Sequence, residues 1–158
     1  MRCLICTLAI AGIISLTGCS KGTTILKPDN TSAMEQTEKT INATPEEIDG
    51  IKKTLDAYIE AALKGDSQIA KPAFAETATI SYNEDGKLVS SPIAALYEYY
   101  DQTGPHHAEY TITAAQVAGN VAVVSIDSKF GDVRFDDMFT MVKDGDDWKI
   151  VSKVYHVK

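Results

Sequence analysis

The chain has 158 residues, with 15 Lys and Arg against 22 Asp and Glu, and a formal net charge of −7. That acidity argues against a nucleic-acid partner and against adhesion to anionic lipid through a polybasic face. Hydrophobic residues make up 44% of the chain, enough to build a packed core.

Met1-Arg2 is a short basic start to the apolar run CLICTLAIAGIISL. The run has signal-peptide length and is too short to span a bilayer. It ends on LTGC, Leu16 to Cys19, which resembles the bacterial lipoprotein signal, where the Cys becomes the first mature residue and is lipidated. Residues 1–18 are therefore expected to be a signal peptide, and Cys19 the anchor to the membrane. The expected location is the bacterial cell envelope, at the outer membrane if the host has one, since Ser20 rather than Asp follows the Cys. Cys3 and Cys6 leave with the signal and Cys19 is consumed by the lipid, so no disulfide, zinc site or thiol nucleophile remains. Loss of Arg2 makes the mature charge one unit more negative. Residues 20–43, SKGTTILKPDNTSAMEQTEKTINA, are polar and without period, and read with Cys19 as a flexible tether.

Residues 44–158 have the size of one domain. Thr44, Pro45 and Glu47 form a capping box with proline in the first turn. Ile48, Ile51, Leu55, Tyr58, Ile59, Ala62 and Leu63 then share one helical face, and Gly65 supplies the stop. Asp66 caps a shorter helix through SQIAKPAF that Pro72 bends or ends. Ala78–Tyr82 reads as a strand and NEDG as a turn into KLVS. Ser91-Pro92 starts a third helix through about Tyr100, with Ile93, Leu96, Tyr97 and Tyr100 inward.

From Ala108 the period becomes two. Tyr110–Val117, Val121–Phe130, Val133–Lys143 and Trp148–Val157 read as strands joined at Gly119-Asn120, Gly131-Asp132 and Asp144-Gly145. Helices first and antiparallel strands afterwards predict an α+β fold, three N-terminal helices packed on one face of a curved, mainly antiparallel sheet. With Asp144-Gly145 as a two-residue turn, Met141 faces Trp148, Phe139 faces Ile150, Asp137 faces Ser152 and Phe135 faces Val154. One face then collects these residues with His156, while Asp136, Lys153 and Tyr155 point outward. Asp137, Ser152 and His156 are the polar residues on an otherwise apolar face, where a carboxylate must be bonded, paired or beside a wet cavity.

The stretch AYIEAALKGDSQIAKPAFAETATISYNEDGKLVSSPIAALYEYY, with RFDDMFTMVKDGDDWKIVSKVYHVK, resembles the putative lumazine-binding family. That family belongs to the SnoaL-like, nuclear-transport-factor-2-like superfamily. The resemblance covers roughly residues 50–158 and implies a cone whose curved sheet wraps a hydrophobic cavity beneath the helices, often in a homodimer. Relatives commonly carry a His shortly after the phenylalanine of the second helix, whereas here Phe74 is followed by Ala75-Glu76.

Asp137 is the candidate general base or ligand acceptor; the alternative is a structural carboxylate bonded to Ser152 or a tyrosine. His156 faces either the cavity mouth or solvent at a frayed end. Trp148 either stacks on a flat ligand or plugs the core beside Met141. Tyr58, Tyr82 and Tyr97, with Phe135 and Phe139, complete the expected ligand wall. His106-His107 lacks a carboxylate at helical spacing, and the aspartates around Gly145 lack a spaced calcium loop, so no metal is expected. Without a phosphate loop or dinucleotide fingerprint, no cofactor is expected either. The leading expectation is a lipid-anchored envelope protein whose cone binds a small apolar or planar molecule without chemistry. The alternatives are an isomerase, dehydratase or cyclase using Asp137 as base with His156 or a tyrosine as acid, and an interaction module that dimerises through the outer sheet face.

Overall fold

The computed structural model describes residues 40–158; the signal segment, Cys19 and residues 20–39 of the expected tether lie outside them. Helix α1 (Pro45–Lys64) begins at the capping box: the Glu47 amide donates to Thr44 Oγ1 at 3.2 Å, and the Thr44 amide donates to Glu47 Oε2 at 2.8 Å. It stops at Gly65 in the left-handed region, φ 63°. A Cβ there would lie 2.3 Å from the Gly104 carbonyl carbon, so the crossing of these two chain segments requires glycine. Ile51, Leu55, Tyr58, Ile59, Ala61 and Ala62 form the buried stripe, while Leu63 lies outside it.

Helix α2 (Ser67–Ala70) is one turn, capped by Asp66 and continued by a 3-10 turn at Lys71–Ala73 that contains Pro72. Strand β2 (Phe74–Glu84) starts four residues earlier than the alternation of Ala78–Tyr82 suggests. Strand β3 (Lys87–Pro92) absorbs Ser91-Pro92, and helix α3 (Ala94–Thr103) starts after Ile93 with no side-chain cap. Ser67 ties the helices together, donating its amide and its hydroxyl to Asp101 at 2.9 Å each.

Four long strands follow: β4 (Ala108–Ala118), β5 (Val121–Phe130), β6 (Val133–Asp144) and β7 (Asp147–Val157). With β1 (Thr40–Asn42), drawn from the end of the segment read as tether, they form one curved sheet in the order β1-β4-β5-β6-β7-β2-β3. The β1–β4 and β2–β7 pairs are parallel and the rest antiparallel, so the sheet is mixed. Helix α1 lies against β4 and β7 on the inner face. The outer face exposes Val123, Met138 and Val154.

The last hairpin corrects the expected register twice. Its turn is Gly145-Asp146, with Gly145 at φ 65°, and Asp144 pairs with Asp147. This shift moves Met141 from Trp148 to Ile150, a step of two that keeps both faces. A bulge then intervenes, because Ile150 pairs with Met141 but Ser152 with Thr140, leaving Val151 as the extra residue. Beyond Val151 the faces exchange. Lys153 and Tyr155 turn inward, whereas Ser152, Val154 and His156 turn outward with Asp136.

Candidate functional site

Where the helices meet the far end of the curled sheet, a cavity of about 330 Å³ opens. Helix α1 gives it Tyr58, and α3 gives Ala95, Leu96, Tyr99 and Tyr100. The sheet supplies Ile80 and Tyr82 from β2, Ser91 from β3, Phe130 and Phe135 from β5 and β6, and Lys153 and Tyr155 from β7. The rings support one another. Tyr82 stacks on Tyr155 at 4.9 Å, Phe135 meets Tyr155 edge-on at 5.7 Å, and Tyr58 meets Phe130 edge-on at 5.5 Å.

One charged group stands on this wall. Lys153, 4% exposed, donates from Nζ to Asp137 Oδ1 and lies 4.3 Å from the Tyr155 ring centroid. Asp137, 1% exposed, accepts at its other oxygen from Ser128 Oγ at 2.6 Å. The pair carries no net charge, which makes its burial tolerable; removing either member would strand an ion in an apolar interior. Burial holds the Lys153 ammonium below the usual lysine range, against the opposing pull of Asp137. Burial, then the Asp137 charge, pushes the Tyr58 and Tyr100 hydroxyls well above the ordinary phenol range, so both stay protonated. The Tyr100 hydroxyl donates to the Tyr58 carbonyl at 3.2 Å.

The residues singled out in the sequence separate into three groups. Tyr58, Tyr82 and Phe135 line the cavity. Asp137, Phe139, Tyr97 and Trp148 do not. Asp137 stands behind Lys153, Phe139 meets Tyr58 edge-on at 5.6 Å, and Tyr97 leans on Phe74 at 6.2 Å. Trp148 is a core plug seated under α1, where its carbonyl accepts from Thr54 Oγ1 at 2.8 Å. His156 is exposed on the outer face opposite Asp136, and the partner of Asp137 is Ser128 rather than Ser152.

Lys153, Tyr155, Phe130, Tyr99 and Tyr100 were not among the expected wall residues, yet they line it. The demand of an inward Asp137 for a cation was the available signal, since Lys153 neighbours its expected partner Ser152. Among the described residues no three His, Cys, Asp or Glu side chains converge as a metal site would require. His106 directs Nδ1 at the Gly104 carbonyl at 2.9 Å, and His107 lies 3.5 Å from Glu109.

Comparison with known proteins matches residues 46–156 to the family model described as Putative lumazine-binding. An NTF2-like protein of unknown function from Shewanella baltica OS155 is 34% identical, at a TM-score of 0.67 over 74% of this chain and 98% of that one. Another from Methylobacillus flagellatus KT is 30% identical, with a TM-score of 0.67 over 76% and 98%. A curated protein from Cladobotryum sp, named aldolase FrzH, is 28% identical over 116 residues, 72% of this chain and 93% of its own.

Proposed function

The chain belongs to the Putative lumazine-binding family of NTF2-like folds, and from that premise we propose that its cone domain binds a small, planar, largely apolar molecule bearing an oxygen acceptor. One observation carries this: a cavity of about 330 Å³ walled by aromatic rings, with the Lys153 ammonium as its one charged lining group. Rings favour flat ligands, and a single buried donor fixes their orientation. The family description names lumazine, a flat bicyclic heterocycle with carbonyl oxygens, which is the class of shape this wall suits. We further propose that Cys19 is lipidated and tethers the domain in the cell envelope.

Mass spectrometry of small molecules retained by the full chain after native purification tests the ligand proposal. A flat heterocycle or aromatic acid is expected, and Tyr155→Ala should release it. A chain that retains nothing and binds no member of a planar-heterocycle panel would overturn the assignment.

The aldolase name of one relative, together with an amine on the cavity wall, favours a second reading: chemistry at a carbonyl group. In that case Asp137 is not the direct base the sequence suggested. Its two oxygens are engaged by Ser128 and Lys153, and it acts on a ligand only through Lys153. Exchange of solvent deuterium into the carbon beside a ligand carbonyl would mark this reading, and its absence would leave binding alone.

A further inference from the structure

We infer that the Lys153 amine captures the carbonyl carbon of an aldehyde or ketone ligand as an iminium ion. This rests on the cavity being a ligand site, and it assigns to Lys153 a covalent role beyond orienting a bound oxygen.

Three features support it. Lys153 is the one lysine among the cavity-lining residues, enclosed by aromatic rings and held in place by Asp137. Burial lowers the stability of its ammonium, so the free amine is more accessible than on a solvated lysine. Asp137 lies in hydrogen-bond contact and can take the proton the amine must lose, while Ser128 holds the carboxylate from its far side.

The chemistry balances within these groups. Lys153 passes one proton to Asp137, and its nitrogen lone pair forms a bond to the carbonyl carbon. The carbonyl π electrons move to oxygen, which takes a second proton from the now positive nitrogen. The resulting hydroxyl receives the proton held by Asp137 and leaves as water, while the nitrogen lone pair forms the C=N bond. The product is an iminium cation beside an Asp137 carboxylate, the same charges the pocket held at the start. No new charge is buried, so the desolvation already met by the ion pair serves both states. The Tyr155 ring, 4.3 Å from Nζ, faces a cation both before the reaction and after it.

The test uses the full chain with 2-naphthaldehyde and cyanoborohydride, and in parallel 2-naphthalenemethanol, which has the same ring but no carbonyl. Reduction of an iminium adds the mass of the aldehyde less one oxygen. The expected result is labelling at Lys153 roughly tenfold above other lysines, since a held amine gains from proximity. The alcohol should bind and suppress that labelling, and Lys153→Arg should lose the label. If the alcohol binds and Lys153 is labelled no more than surface lysines, the covalent role is overturned and the binding site stands. If neither probe binds, the ligand-site reading fails and this inference falls with it. Should Lys153→Arg not fold, protection of wild-type Lys153 by the alcohol decides, and absence of protection overturns the inference.

Discussion

Lys153 and Asp137 form a buried ion pair at the base of an aromatic cavity, brought together by a single bulge residue in the last strand. Without the extra residue at Val151, Lys153 would project to the outer face, as simple alternation predicts. Asp137 would then stand in the interior with Ser128 alone.

The pair dictates its own mutational pattern. Asp137→Ala leaves an uncompensated ammonium and should cost roughly 3–5 kcal/mol in urea unfolding. Joining Asp137→Leu with Lys153→Met should recover most of that loss, because the apolar pair carries no desolvation penalty. A double variant as unstable as the single one would show that the site depends on the charges themselves.

Alkaline pH should unfold the domain through its buried phenols. Unfolded tyrosines ionise near their ordinary value of 10.0, whereas folded Tyr58 and Tyr100 keep their protons well above it. The folded state therefore binds more protons; stability is intact below pH 10 and falls above it, by about 1.4 kcal/mol per pH unit for each group. Lys153 acts with the opposite sign, adding stability as pH rises from its lowered folded pKa to the ordinary 10.5, and nothing beyond. Urea midpoints from about pH 9 to 11.5 should show this fall. Tyr58→Phe should flatten it, and an unchanged slope would exclude Tyr58 as a source.

Gly50 makes room for Trp148. A Cβ at Gly50 would sit 3.0 Å from indole Cδ1 and 3.2 Å from Nε1, so the bare backbone of α1 lets the tryptophan close the core. Gly50→Val should cost about 1–3 kcal/mol by overpacking, despite the gain in helix propensity. Because Trp148 is the one tryptophan, its fluorescence should shift red as the indole is displaced. A stable variant with unchanged emission would show that α1 can move aside.

The proposed anchor has a direct test. Cys19→Ser should turn a membrane-associated protein into one released on cell fractionation. Continued association would show that something other than a lipid on Cys19 holds it.

Features that depend on near neighbours are legible in the chain's local pattern. The capping box at Thr44, the stop at Gly65, the period-two strands and the turns at Gly119-Asn120 and Gly131-Asp132 all follow from local backbone preference. So does the inward face of β6, with Phe135, Asp137, Phe139 and Met141, since alternation along an unbroken strand leaves no other choice. Even the misplaced last turn did no harm to the faces before the bulge, because a register shift of two preserves them. Beyond Val151 the outcome depends on long-range packing. A bulge arises where a strand must bend with a curled sheet, a demand of its partners rather than of its own residues, and one extra residue exchanges every face that follows. That exchange put Lys153 against Asp137 and Tyr155 against Tyr82, and sent His156 to the outer face. The cavity follows from the same cause: its walls come from α1, α3 and five strands, residues that no local pattern places together.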